Sequence, residues 1–496
     1  MDELKHLSIH HTAVKLSDEI QKMESYKDLY NEIQKLAAST AVKKDDFRNS
    51  LLTAMKANGL ETELRNMVYH WVRAQRKIEI SQSPNDPISF LKKCQLQWEK
   101  RVHKSLNSMG NELSEPLIQE RDSADKDQLT MHWEGLSNYV VDLTQYRPVY
   151  APKDFLEVLL SLNGPNATNS SAKTRWEFSH IPIRVKNMAQ LRVHFSELCR
   201  VTAYSSRENN PISEKILSFN HAPLAQEALK AGAVVSHRAD LWKIVLGSEV
   251  RTHHIEHLNM LKTSVLDMNF VTDKLVIKDI QLTASNDDQY FVFEDVLYQV
   301  MLCFTRDTKI NQILAPLKTK HGEGPIHQIP PNGIIPFHGI SMYAAPFCYL
   351  YSNVDTLYFT FRAFYIRYCH RLTTLSTHPQ GIVCLCLLFE RLLQTHEPEL
   401  WSHFRNIDVN PLRLVFKWIM RIFSGHLIPQ QLLILWDLIL GYDSLEIVPL
   451  LAVVIFSFRR ESLMQVTNQQ TMESVVADLS SVRVLPLVQV ALVREQ

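Results

Sequence analysis

Apolar residues in this chain return every third or fourth position far more often than every second, the spacing of helices that bury one face. Leu16, Ile20, Met23, Leu29, Ile33 and Leu36 form such a stripe, and after a break at 38–41 Asp45 and Asp46 suit a helix start. Phe47, Leu51, Leu52 and Met55 then share a face, Gly59 can end that helix, and Leu60, Leu64, Met67, Val68, Trp71 and Val72 mark another. Residues 47–72 therefore predict a helical hairpin. Beyond a turn at Pro84 and Pro87, a further helix is marked by Phe90, Leu91, Cys94, Trp98, Val102 and Leu106, so 1–110 reads as a helical N-terminal region. Residues 110–127 are charged and weakly apolar, which predicts a surface connection. Residues 111–214 mix such linkers, including the polar stretch 163–173, with helical patterns at 155–162 and at Met188, Leu191, Phe195 and Leu198. The polar stretch 205–211 marks a boundary.

From 215 to 465 the helical pattern is stronger. Pro223 suits a first helical turn, 225–230 is rich in helix formers, and Gly232 suits a stop. Arg238 and Trp242 lie one turn apart on one face. Phe293, Leu297, Val300, Met301 and Phe304 mark a buried helical face. Leu357, Phe361, Phe364, Tyr365 and Tyr368 form an aromatic stripe interleaved with Arg362, Arg367 and Arg371, which predicts core plus a solvated basic face rather than a nucleic-acid platform. Alternating runs bounded by tight turns are few, so the expected class is all-α, with 466–496 left as a C-terminal tail or packing segment. The longest apolar run, 447–458, contains Pro449 and is shorter than the ~18 residues a membrane-spanning helix needs, so no transmembrane segment is expected.

Composition narrows the function. With 53 basic and 53 acidic residues in 496, no overall field draws the chain to nucleic acid, and any partner must be recognised locally. The cysteines lack framework spacing, and Cys384 and Cys386 sit in an apolar run, which predicts reduced core residues in a cytoplasmic protein. Asn166 and Asn169 open two sequons, but the first residues carry no apolar leader, which argues against glycosylation. No phosphate loop, CxxC pair, HExxH or GxSxG is present, and Gly322 and Gly324 are too short a set for a nucleotide loop. His10–His11 and His253–His254 are adjacent pairs that point apart on a helix, so no metal, no cofactor and no catalytic site of the chain's own are expected.

Short signatures now carry a resemblance. Arg238 and Trp242 resemble the opening R-x-x-x-W of the TBC domain, found in activators of Rab GTPases. Val276, Asp279 and Leu282, followed by Thr283, resemble its I-x-x-D-x-x-R element; Pro336, His338, Gly339 and Ile340 resemble Y-x-Q-G-M. The stretch from Phe416 through Trp418 to Phe423, and then Trp436 with Asp437, match two later elements. The resemblance implies an all-helical domain over 215–465 that folds on its own and meets a GTP-bound Rab, with Arg238 and Asp279 near one another as braces. It further implies a place in membrane trafficking, at membranes only through that Rab.

Both working residues of the family are replaced here. Where the family's arginine stabilises charge on the transferring phosphoryl group stands Leu282, and where its glutamine orients water stands His338. Arginine fingers are worth roughly a thousandfold to a hundred-thousandfold in rate, so the resemblance implies an atypical activator of weak or absent activity. The alternative is a catalytically silent Rab-binding or scaffolding protein. A third class is a helical assembly protein working through 1–110, whose hairpin resembles LisH-like dimerisation units and suggests self-association.

Overall fold

The computed structural model describes residues 14, 17–18, 20–37, 44–75, 90–134, 142–162, 181–200, 211–232, 235–285, 287–314 and 329–493. Outside them lie His10, His11, Leu16, the break at 38–41, the turn at 84–87, the 163–173 stretch with Asn166 and Asn169, residues 205–210, and Gly322 with Gly324. Among the described residues the secondary structure is helical apart from one two-stranded ribbon, and the chain is all-α.

The N-terminal hairpin consists of α1 (Lys44–Ala57) and α2 (Leu60–Gln75), joined at Gly59, whose φ of 73° is the left-handed conformation that ends a helix at low cost. Glu61 and Glu63 in the first turn of α2 favour its N-terminus. One face of α2 is spent within the molecule. Asn66 receives the N–H of Ala222 (2.8 Å) and donates to the carbonyl of Asn220 (2.7 Å), while Tyr69 and Arg73 both donate to Gln226 Oε1. α3 (Phe90–Glu112) buries Leu91, Trp98, Val102, Leu106 and Met109.

The expected surface connection at 110–127 is instead tied into the fold. Its β1 (Ile118–Glu120) pairs antiparallel with β2 (Met268–Phe270), with Ile118 opposite Phe270. Just beyond, Arg121 donates to the carbonyl of Val265 (2.9 Å) and to Asp273 (3.0 Å), a fully buried carboxylate that Arg306 also clamps. Backbone pairing and a charge-to-charge clamp need no apolar stripe, so the polar sequence concealed them.

The centre is built from α4 (Pro152–Leu160), α5 (Ala222–Ala231), α6 (Arg238–Leu246), α7 (Val271–Asp279), α8 (Glu294–Arg306), α9 (Val354–Arg367), α10 (Ile382–His396), α11 (Leu412–Met420), α12 (Pro429–Tyr442), α13 (Ile447–Phe458) and α14 (Val484–Leu492). Trp242 of α6, Phe364 of α9 and Trp436 of α12 stack face to face, with Phe364 and Trp436 centroids 4.6 Å apart. α13 is apolar all round because α10, α11 and α14 pack about it. The hydrophobic cluster is continuous from Leu91 to Leu492. Across the 205–211 stretch, Lys186 pairs with Glu446 (2.5 Å), and Gln489 donates to the carbonyl of Leu198 (2.9 Å).

The basic face expected beside the aromatic stripe is not solvated. Arg362 pairs with buried Asp307 at 2.6 Å, Arg367 pairs with Asp443 at 2.8 Å, and Arg371 is 8% exposed. Most of the aromatic helix is buried, and its arginines reach carboxylates contributed from elsewhere. His253 and His254, expected to point apart, have ring centroids 4.0 Å apart. Among the described residues no group of three metal-ligating side chains forms.

Candidate functional site

The site begins where α7 fails to stop. Beyond Asp279 the chain makes one π-helical turn, Ile280–Ala284, in which the N–H of Ser285 reaches back to the carbonyl of Ile280 (2.7 Å). Such wide turns are rare inside helices and recur at functional sites. Ile280 and Ala284 are buried while Leu282 between them is 46% exposed. Thr283 Oγ1 donates to the carbonyl of Asp279 (2.5 Å) and shares a hydrogen bond with Ser341 Oγ (2.7 Å).

Asp279 turns its carboxylate toward the segment that carries His338. One oxygen accepts the N–H of Gly339 (2.5 Å) and the other that of Ser341 (2.9 Å), so a single side chain shapes the turn. Gly339 has a φ of 98°, and the Arg421 guanidinium lies where any side chain there would project, so only glycine fits. Arg421 donates to the carbonyl of His338 (3.0 Å), and its shielded Nε has no partner. His338 in turn donates its backbone N–H to the carbonyl of Tyr150 (3.1 Å), whose ring stacks on Phe337 at 5.4 Å.

The imidazole of His338 is a third exposed, with Nδ1 3.6 Å from Asp279, too long for a hydrogen bond. Partial burial lowers its pKa, Asp279 pulls it back up and Arg421 lowers it further, so the ring is neutral at pH 7. Leu282 and His338 border one depression of about 10 Å³, which Lys278 and Pro336 also line. It is no larger than about one water. Neither nearby cation is free to leave its place. Lys278 is committed to the carbonyls of Leu143 (2.9 Å) and Tyr146, and Arg421 to that of His338. The depression therefore offers an outward leucine and a neutral imidazole.

Arg238 and Asp279, expected as neighbours, have separate partners. Arg238 Nε lies 2.8 Å from Asp437, which also takes the indole N–H of Trp242 at 2.7 Å, and all three side chains are buried. Asp279 has both oxygens occupied by backbone donors, whereas Asp437 on α12 faces α6 and supplies the buried anion that a buried guanidinium requires. Burial pushes the Asp437 carboxyl up to about 6 against the pull of Arg238 and Trp242. Trp436, next in line, donates to the carbonyl of Ile422 (3.1 Å) and so fixes the turn that carries Arg421.

The helical scaffold thus locks Asp279 to the Gly339 turn and Arg238 to Asp437. A family model for the Rab-GTPase-TBC domain matches residues 337–464. The chain is 40% identical over 507 aligned residues to TBC1 domain family member 19 of Homo sapiens, an alignment that covers 95% of this chain and 96% of that relative. It belongs to the TBC domain family. A TBC domain-containing protein kinase-like protein of Dictyostelium discoideum is 29% identical over 106 residues, 21% of this chain and 10% of that protein. Among solved structures, a Chlamydomonas flagellar RabGAP TBC domain aligns with a TM-score of 0.43 at 12% identity, covering 62% of this chain and 96% of that one.

Arg421, Ser341 and Tyr150 escaped the sequence reading. Arg421 had a visible signal, a cation that shares the otherwise apolar run from Phe416 to Phe423 only with Lys417. Ser341 and Tyr150 had none, because each acts through position alone.

Proposed function

We propose that this protein engages a GTP-bound Rab with the face that carries Leu282 and His338, and that it accelerates GTP hydrolysis little or not at all. Membership of the TBC family supports a Rab as the partner. The observation that carries the low activity is Leu282, 46% exposed at the position from which the family extends its cation. An isobutyl group offers neither charge nor donors to a γ-phosphate, and Lys278 and Arg421 are tied to backbone carbonyls. His338, neutral, has one donor and one acceptor on opposite edges of its ring, a poor copy of an amide that presents both at one end. The Asp279 brace supports a retained binding loop. Among the described residues no helix is long and apolar enough to cross a membrane, and the Rab supplies the attachment in this proposal. Cytoplasmic location and a scaffolding role in trafficking follow from the same reading.

A panel of GTP-loaded Rabs, measured for both binding and hydrolysis, tests the proposal. Binding without stimulation is the expected result. For the Rab that binds, Leu282→Arg raises hydrolysis by between about tenfold and about a thousandfold, the worth of an arginine finger reduced by about a hundredfold for a misplaced loop. Leu282→Arg combined with His338→Gln gives no less than the single change, while His338→Gln alone gives little. Strong hydrolysis by the native protein that survives substitution of Leu282 and His338 would overturn the proposal, as would failure to bind any Rab.

A further inference from the structure

Far more room exists elsewhere in the molecule than at the finger positions. Between α3, the 333–335 segment and the 370–378 stretch lies a half-open cavity of about 280 Å³, just below the usual range for ligand sites. Its floor is apolar and aromatic, with Trp98, Val102, Tyr150, Ile335 and Tyr365. The rim is fastened on one side, where Gln95 accepts the backbone N–H of Leu375 at 2.6 Å, so the walls are held in place in the free protein.

One wall is made by Arg371, only 8% exposed. Arg371 lies on the 3-10 turn that follows α9, and the two arginines of α9 before it, Arg362 and Arg367, have carboxylates at 2.6 and 2.8 Å. Arg371 makes no ion pair among the described residues, and its guanidinium gives a single long hydrogen bond, 3.3 Å, to the neutral amide of Gln380. Asp443, a carboxylate that acts on Arg371 through space, is already taken by Arg367 and Tyr368. A mostly buried guanidinium normally has an anion, since an unpaired buried charge is destabilising, and no nitrogen of Arg371 is both sealed from solvent and without a partner, so its remaining donors stay open to a ligand. Here Arg371 lines a cavity that joins an aromatic and aliphatic surface to polar groups, among them Lys92, Glu99 and His103.

We propose that this cavity is a binding site for a small amphipathic anion, a molecule with an apolar body seated on Trp98, Tyr150 and Tyr365 and one carboxylate paired with Arg371. The site shares no lining residue with the depression between Leu282 and His338, meets the His338 turn only through Tyr150, and does not depend on Rab engagement. A carboxylate matches the planar fork of the guanidinium. A chain or ring of moderate size matches the volume.

Isothermal titration of the full-length protein with octanoate, 1-octanol and inorganic phosphate tests the assignment. Octanoate is expected to bind saturably and at least tenfold more tightly than octanol, with phosphate weaker than octanoate. Arg371→Gln erases the preference for octanoate over octanol, and Ile334→Trp, which fills the cavity from its rim, removes both ligands while leaving the melting temperature near native. Should Arg371→Gln fail to fold, the octanoate–octanol comparison on the native protein together with Ile334→Trp decides the matter. Equal affinity for octanoate and octanol in the native protein, no octanoate binding, or octanoate binding that survives Ile334→Trp would overturn the proposal. Phosphate binding as tight as octanoate would overturn the amphipathic class.

Discussion

Replacing Asp279 with alanine is the sharpest test of how the site is held. The carboxylate accepts two backbone N–H groups, from Gly339 at 2.5 Å and Ser341 at 2.9 Å, and is 5% exposed. Hydrogen bonds to a charged group contribute about 1.5–3 kcal/mol each, and a buried donor left without an acceptor loses its desolvation energy besides. Ser341 is fully buried, so water does not readily take over, and the combined loss comes to about 3–6 kcal/mol. Asp279→Asn fares little better, because its amide nitrogen meets one of the two donors head on. Urea unfolding followed by tryptophan fluorescence measures the loss. Amide hydrogen exchange across 334–345 shows whether it is concentrated in the His338 turn. A shift in stability below about 0.5 kcal/mol, the range of an ordinary surface substitution, with unchanged exchange at Gly339 and Ser341, would refute the idea that Asp279 shapes this turn.

The buried Arg238–Asp437 pair is expected to lose about 3–5 kcal/mol in Asp437→Ala, which strands the guanidinium, and distinctly less in Arg238→Met combined with Asp437→Leu; equal losses in urea titrations would contradict this. His426 has its Nε2 sealed from solvent, and burial lowers its pKa to about 3, below the roughly 6.5 of an unfolded histidine. The unfolded chain therefore binds the extra proton between those values, and His426 contributes stability above about pH 6.5 that is lost as pH falls, at up to about 1.4 kcal/mol per pH unit. Urea midpoints at pH 7, 6 and 5 should fall less steeply for His426→Leu than for the native chain. A fragment of residues 215–465 exposes Phe337 and Phe416 where Tyr150 and Phe155 cover them, and loses Arg121 from buried Asp273. Limited proteolysis is expected to cut it faster than the full chain, and equal resistance would show that the flanks add nothing.

The sequence alone determined the helical class, because burying one face of a helix imposes its period on the apolar residues whatever the neighbours are. It also determined the order of short polar signatures, and with them the family, since Arg238, Asp279, Gly339 and Asp437 are visible as residue types at fixed spacings. Partnership was another matter. Arg238 takes Asp437, 199 positions away, rather than Asp279, because a buried guanidinium pairs with whichever carboxylate the packing delivers, and nothing local encodes that choice. The 110–127 segment joins the fold through a backbone ribbon and one arginine, interactions that leave no apolar pattern. Arg362, Arg367 and Arg371 read as a solvated face because charge usually marks solvent, yet Arg362 and Arg367 of α9 find Asp307 and Asp443, and Arg371, on the 3-10 turn beyond α9, lines a cavity. Residue types and periods are local properties of the chain, whereas which charge meets which depends on distances that only the assembled helices set.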